Sequence, residues 1–228
     1  MSPSGTKNPT QSPALPETAE RAEEILRFWF ADALDSQEAL ERRMASWFGG
    51  ESDAAAMKVI DRQIERQFSS DMERAARGEL ASWARTPRGR LALILLLDQF
   101  PRNVFRGTAR AFATDSMALE LARSGMHLGA DTALHVAERL FLYMPLQHAE
   151  RPDVQDQSVA AVAALAVDAP VALRPLFEEC VRFAEQHREI VCRFGRFPHR
   201  NAILGRDSTL QERAFLEQEE GFDFGQKA

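Results

Sequence analysis

Two short polar stretches, roughly a hundred residues apart, carry side chains that could bind a ligand or move a proton. They are residues 99–103 (Gln-Phe-Pro-Arg-Asn) and 196–201 (Arg-Phe-Pro-His-Arg-Asn), which we call the first and second Phe-Pro stretches. Because a proline removes a backbone donor and disfavours the α conformation of the residue before it, each stretch is expected to end a helix. Connections that follow helices are common places for sites.

The first Phe-Pro stretch predicts an anion-binding group. Arg102, Arg106 and Arg110 recur at every fourth position, and Asn103 follows the first of them. If the chain is helical here, the guanidinium groups lie on one side, where their planar forks can bind a carboxylate or a phosphate through paired hydrogen bonds. The alternative is that these arginines pair with acidic neighbours and with carbonyl groups at helix ends.

The second Phe-Pro stretch predicts acid–base chemistry. His199 can exchange a proton near neutral pH, which makes it the candidate catalytic residue. Arg196, Arg200 and Asn201 are candidate ligand-binding residues, because they supply an anion grip and an amide that both donates and accepts. The alternative is a turn in which the same side chains tie down the ends of helices.

His148 is a third candidate ligand-binding residue, near the end of a predicted helix. Glu150 lies two residues further on, and a carboxylate there could orient the imidazole. The alternative is that both side chains lie on the surface, since histidine and glutamate are commonly solvated.

Residue spacing excludes several classes of site. No His-Glu-x-x-His motif occurs, His127 and His135 have no nearby carboxylate pair, and the two cysteines are Cys180 and Cys192, so no metal is expected. A Gly-rich phosphate loop and a Gly-x-Ser-x-Gly elbow are both absent, which disfavours P-loop nucleotide hydrolysis and ordinary α/β-hydrolase chemistry. We expect no cofactor.

The composition limits the partners. Among 228 residues the formal net charge is −6 at pH 7, which argues against general binding to nucleic acid or to an anionic membrane. The longest strongly apolar run, residues 91–97, is far shorter than the ~20 residues of a membrane-spanning helix and predicts a buried helix instead. Two cysteines without a redox spacing fit a reducing cytoplasm.

Apolar residues recur at helical spacing along most of the chain, and this predicts an all-α fold. Short connections favour antiparallel helical hairpins in one domain over residues 18–220, with a disordered extension over 1–17 and a tail over 221–228. Local signals predict a helix start at Thr86-Pro87, a helix stop at Gly195 and a capping box formed by Ser208 and Gln211.

Four blocks of the sequence carry a family resemblance. They are residues 86–103, 105–115, 138–143 and 193–206, and two of them contain the Phe-Pro stretches. Over about residues 22–218 the chain resembles the bacterial proteins of domain of unknown function 924. The resemblance implies stacked helix hairpins like those of tetratricopeptide repeats, and it implies no activity. The chain departs from the family pattern at Ala149, where relatives tend to have a serine.

These residues favour one hypothesis and leave one alternative open. We expect the two Phe-Pro stretches to converge on a pocket that binds a small anionic molecule, with His199 transferring a proton. Either that ligand or interleaved acids such as Asp98 and Glu138 would offset the charge of the arginines. The alternative is a scaffold that binds a protein partner without catalysis, since stacked hairpins often present a concave surface. The sequence does not decide whether the chain is an enzyme.

Overall fold

A computed structural model describes residues 17–48 and 54–218 of the chain. The predicted tail and all but the last residue of the predicted extension lie outside these ranges. Within them the chain is helical and no strand occurs, which confirms the all-α prediction. The α-helices are α1 Glu17–Phe30, α2 Gln37–Phe48, α3 Ala54–Ala76, α4 Pro87–Ile94, α5 Phe100–Val104, α6 Asp115–His127, α7 Val136–Gln147, α8 Pro152–Asp168, α9 Arg174–Phe194 and α10 Leu210–Gln218. None of these helices is both long and apolar enough to cross a bilayer.

One large apolar core joins most of the helices. Aromatic rings meet in it from four of them: Phe68 of α3 and Trp29 of α1 lie 5.2 and 5.6 Å from Phe100 of α5, and Trp29 lies 5.5 Å from Phe141 of α7, measured between ring centroids. Residues 91–97 are at most 3% exposed, so the apolar run is a buried helix as predicted. The core therefore surrounds the helix that leads into the first Phe-Pro stretch.

The pair α8 and α9 forms a long antiparallel hairpin. Val167 near the end of α8 lines the same groove as Arg174 at the start of α9, while Asp156 early in α8 pairs with Arg188 late in α9. A short connection between two helices favours this arrangement. The finer likeness to tetratricopeptide repeats stays a prediction.

The helix through the first Phe-Pro stretch does not end at Pro101, contrary to the prediction. Leu95–Gln99 form a π-helical turn that joins α4 to α5, and the N–H of Phe100 reaches back to the carbonyl of Leu95. In a regular α-helix the proline ring would clash with the carbonyl four residues earlier, and the wider turn relieves that contact. That carbonyl, of Leu97, accepts a hydrogen bond of 2.6 Å from the hydroxyl of Thr114.

The predicted helix start at Thr86-Pro87 and helix stop at Gly195 are both confirmed. Thr86 caps α4, because its hydroxyl oxygen accepts from the N–H of Gly89 at 3.1 Å. The helix α9 ends at Gly195, whose φ of 71° is the left-handed conformation that favours glycine.

The predicted capping box of Ser208 and Gln211 is wrong by one residue. The N–H of Glu212 donates to the Thr209 hydroxyl at 3.1 Å, and the N–H of Thr209 donates to the Glu212 carboxylate at 2.7 Å. Both pairs fit the sequence pattern, so the local signal could not choose between them. The carboxylate of Glu212 also binds Arg196, which an amide would do less strongly.

Replacing Thr114 by valine should lower the free energy of unfolding by about 1–2 kcal/mol. The substitution removes the hydroxyl that stands in for the missing N–H of Pro101 at the Leu97 carbonyl. Thr108→Val is the matched control, since the Thr108 hydroxyl bonds the Phe105 carbonyl at 2.7 Å in an exposed position. The control substitution should lower the free energy of unfolding by less than about 0.5 kcal/mol. Urea unfolding measures both, and equal losses would contradict this account of the π turn.

Candidate functional site

The two Phe-Pro stretches approach each other in the structure. Arg102 of α5 and Arg200 of the 3₁₀ turn Pro198–Arg200 both approach the carboxylate of Asp115, at 2.9 and 3.7 Å. Both guanidinium groups also lie over the ring of Phe112, at 5.6 and 4.7 Å from its centroid. One arginine from each stretch therefore shares a carboxylate at the start of α6. We call this group, with the two residues described next, the buried polar cluster: Asp98, Arg102, Asp115, His148 and Arg200.

Asp98 is a fully buried carboxylate in the π turn, behind Arg102. Its Oδ1 forms an ion pair with Arg102 Nη1 at 3.0 Å and accepts a hydrogen bond from His148 Nδ1 at 2.8 Å, while its Oδ2 accepts from the amide of Gln99. Burial opposes ionisation of Asp98, but Arg102 and then His148 together outweigh it and hold the pKa at about 2. Asp98 is therefore ionised at neutral pH.

His148 ends α7 and forms a dyad with Asp98. An ionised carboxylate only accepts, so Nδ1 carries the proton in this bond. Burial and then Arg102 lower the pKa of His148, and Asp98 offsets this only in part, so the imidazole is neutral at pH 7. The lone pair then lies on Nε2, which makes no hydrogen bond with residues 17–48 or 54–218, and the side chain is 11% exposed. A neutral imidazole oriented in this way can accept a proton.

Of the two arginines in the cluster, Arg200 is the one less closely paired with carboxylates. Its guanidinium lies over the rings of Phe112 and Phe197, at 4.7 and 4.5 Å from their centroids. Its Nη1 donates to the carbonyl of His148 at 3.0 Å, while its buried Nε has no partner in the described part of the chain. Burial and then Arg102 lower the pKa of Arg200 to about 10, so it remains a cation at neutral pH.

The main chain on both sides of His148 is held by α8. The fully buried amide of Gln155 donates to the carbonyls of Gln147 and Ala149, both at 2.8 Å. The last carbonyls of a helix have no intrahelical partners, so this amide satisfies part of the end of α7. Together with Arg200 on the His148 carbonyl, it fixes the backbone that carries the imidazole.

Two predicted site residues of the first stretch face α3 instead of the cluster. Asn103 and Arg106 bind the carboxylate of Asp61, at 2.8 and 3.3 Å. The predicted alignment of arginines at every fourth position does not occur, because α5 ends at Val104 and Gly107 takes a φ of 71°.

Two predicted site residues of the second stretch bind neighbouring parts of the chain. The fork of Arg196 binds Glu212 at 2.6 and 2.8 Å. The amide of Asn201 donates to the Ser208 hydroxyl and accepts from Arg206, both at 3.0 Å. These contacts agree with the alternative hypothesis for the second Phe-Pro stretch, in which the side chains hold a turn against the ends of helices.

His199 lies at the border of the cluster, and Glu150 does not orient His148. The ring of half-buried His199 is 5.6 Å from the ring of Phe197. The carboxylate of Glu150 accepts from Arg206 at 2.6 and 2.9 Å and from the N–H of Phe197 at 2.8 Å. The acid that orients His148 is Asp98, and Glu150 instead holds the second stretch against the end of α7.

Sequence reasoning missed three residues of this site: Asp115, Phe112 and Gln155. Asp98 was expected to balance the arginines and does so, while Glu138 binds Arg88 instead. The available signal for Asp115 was an acidic residue in the first turn of a helix, which is common without any function. No spacing in the sequence connects it with Arg200.

The chain is similar to proteins whose function is unknown. The model of a family described as a bacterial protein of unknown function, DUF924, matches residues 25–220. The solved structure of a protein of unknown function from Agrobacterium tumefaciens is 37% identical, with a match that covers 89% of this chain and 99% of that one at a TM-score of 0.71. A comparison with curated proteins finds no match. The family predicted from the sequence blocks is confirmed.

The free energy of unfolding should fall as the pH falls below about 6.5. Burial lowers the pKa of His187 to about 3 from an ordinary value of 6.5. Between these values the unfolded chain binds the proton and the folded chain does not, so stability decreases by at most about 1.4 kcal/mol per pH unit. The pKa of His148 is also lowered and acts in the same direction.

Urea unfolding of wild type and two variants over this pH range tests that expectation. His187→Gln should flatten the decline, because glutamine does not titrate. His127→Gln is the control, since His127 is exposed and should leave the slope as it is. An unchanged slope in His187→Gln would contradict the assignment.

Proposed function

Because the chain belongs to the DUF924 family of bacterial proteins of unknown function, we propose its function from its own side chains: it binds a small anion at the buried polar cluster and transfers a proton at His148. One observation carries this proposal. Within the described residues, Nε2 of His148 and Nε of Arg200 have no hydrogen-bond partner, and both side chains belong to the same cluster, joined through the His148 carbonyl. A base beside a cation is a combination that acts on anionic substrates.

The anion-binding half of the proposal rests on Arg200. A buried cation without a carboxylate at hydrogen-bond distance is costly, and an anion would offset that cost. Two aromatic rings already pack against the guanidinium, so an anion would bind through its N–H donors, which suit carboxylate or phosphate oxygens. The cluster is largely buried, so the ligand is small.

The proton-transfer half rests on His148, which replaces His199 as the candidate catalytic residue. The bond from Nδ1 to Asp98 leaves the lone pair on Nε2, the arrangement of a general base. His199 becomes a candidate for binding the ligand at the border of the cluster. The reaction class is proton abstraction from, or return to, a bound carboxylate or phosphate compound.

A protein-interaction scaffold is the second candidate. A concave region of about 470 Å³ lies between α8 and α9, and the nearby side chains of Val167 and Val171 are 73% and 77% exposed. Exposed apolar surface of this kind can receive a partner. This region is separate from the buried polar cluster, so variants of Val167 and of Arg200 would affect different activities.

Small anions should raise the melting temperature of the wild type and not that of Arg200→Lys. A ligand at a hundred times its dissociation constant stabilises by ~2.7 kcal/mol, which is about 5–10 °C for a chain of this length. Lysine keeps the charge but lacks the planar fork of donors that binds a carboxylate or phosphate through paired hydrogen bonds. The probes are acetate, oxalate and inorganic phosphate, and each variant is compared with its own ligand-free melting temperature.

Arg196→Lys is the matched control for this experiment. Arg196 is an arginine of the same stretch, but its fork binds Glu212 outside the cluster. The control should keep the shift in melting temperature. A wild type that responds to none of the anions, or two variants that lose the response equally, would contradict the anion-binding site.

His148→Gln should abolish proton transfer while keeping the bound anion. Carboxylates that bind are incubated with protein in D2O, and loss of carbon-bound protons is followed by NMR. A positioned base contributes about 10²–10⁴-fold, so the exchange rate should fall at least ~100-fold in His148→Gln. His199→Gln should retain most of the rate. The opposite pattern would return the catalytic role to His199, and no exchange with any bound anion would leave a binding protein.

A further inference from the structure

The charges of the buried polar cluster balance before any ligand enters. Arg102 and Arg200 are cations, and Asp98 and Asp115 are carboxylates. His148 adds no charge, because its neutral imidazole donates to Asp98. Nearby Glu150 and Arg206 also balance, through a two-bond ion pair of their own.

An added anion would leave this region with one negative charge too many. Asp98 is fully buried, and the side chains of Arg102 and Arg200 are 8% and 7% exposed, so little water is present to solvate the excess. An uncompensated charge in a buried region with little water costs several kcal/mol. A proton taken up with the anion removes the excess.

His148 Nε2 is the atom in the cluster that can take this proton. The carboxylates are already committed: Asp98 accepts from Gln99 and His148 and pairs with Arg102, and Asp115 accepts from both arms of Arg102. Nε2 has a lone pair and no hydrogen-bond partner in the described ranges. Once protonated, the ring would donate from Nδ1 to Asp98 and from Nε2 to the bound anion.

Several charged and titratable groups act on His148 or its main chain: Asp98 of the π turn, Arg102 of α5, Asp115 of α6, His187 of α9 and Arg200 of the second Phe-Pro stretch. From α8 the uncharged amide of Gln155 binds the main-chain carbonyls on both sides of His148. The cations oppose protonation of the imidazole, and the two aspartates favour it. A bound anion would favour protonation in the same way as the aspartates.

We infer that the site takes up its anion together with one proton, which His148 Nε2 holds. This inference rests on the proposed function and specifies its ligand as the equivalent of a neutral acid. The protonated imidazole and the bound anion then form the state from which a proton can be returned to the substrate.

Uptake of a proton with the anion makes the affinity for the anion depend on pH. The anion binds more tightly when His148 is protonated. The affinity for the anion therefore rises as the pH falls through a window, which lies between the pKa of His148 in the complex and the pKa of His148 in the ligand-free protein. Over that window the dissociation constant decreases by up to tenfold per pH unit. Above the window the anion binds without a proton, and the affinity is low and constant.

Acetate is a suitable probe, because it remains a monoanion above about pH 6 and any proton uptake belongs to the protein. Its binding is measured by calorimetry across pH 6–8, in two buffers that differ in heat of ionisation. We expect uptake approaching one proton per acetate and a dissociation constant that decreases as the pH is lowered. In His148→Gln acetate should still bind, with no uptake and no pH dependence, whereas exposed His127→Gln should behave as wild type.

NMR of the histidine side chains tests the same inference without a variant in the site. Saturating acetate should raise the pKa of His148 by as much as the calorimetric fold-change requires, one unit for each factor of ten. Acetate that binds Arg200-dependently with no proton uptake would overturn this inference and leave the proposed function standing. Failure of acetate, oxalate and phosphate to bind at all would overturn both.

Discussion

The ionised carboxylate of Asp98 is the interaction on which the arrangement of the site depends. It is fully buried, and without partners a charge in that position would cost several kcal/mol. The donors that offset this cost come from the π turn itself, from α5 and from the end of α7. In binding Asp98, the guanidinium of Arg102 is also directed at Asp115, and the imidazole of His148 is limited to one tautomer. A single charge thus contributes to the orientation of two groups of the site, the guanidinium of Arg102 and the imidazole of His148.

The surrounding structure serves to hold this charge and its partners in place. Gln155 binds the carbonyls on both sides of His148, and the ion pair of Glu150 with Arg206 holds the second Phe-Pro stretch against the same turn. Phe112 and Phe197 then pack against the guanidinium of Arg200. The polar groups are therefore positioned by contacts from several separate segments.

The fold was largely predictable because its signals are local. The caps at Thr86 and Gly195 depend on residues within one turn of the helix end, and the apolar periodicity that predicts helices depends on only slightly longer windows. The helix through Pro101 could not be predicted in the same way. A proline after an apolar helix usually marks its end, and here a π turn and the hydroxyl of Thr114 from outside the helix remove the penalty.

The site was predictable only as a set of residue types. The Phe-Pro stretches identified Arg102 and Arg200, but which acid each arginine meets is decided by packing: Asp115 for these two, Asp61 for Arg106 and Glu212 for Arg196. The carboxylate that orients His148 lies fifty residues away in the sequence, whereas the one two residues away binds Arg206. Charge pairs between distant segments leave no spacing that a sequence can reveal.

The π turn also has a consequence for how such a protein could evolve. A π turn accommodates one residue more than an α-helical turn, so the apolar faces of α4 and α5 keep their inward direction on either side of it. The additional position lies where Asp98 and Gln99 enter the interior. The insertion or deletion of a single codon, rather than a substitution, is then the simplest genetic step by which a helix of this kind would acquire or lose an interior acid while its hydrophobic flanks stay in register.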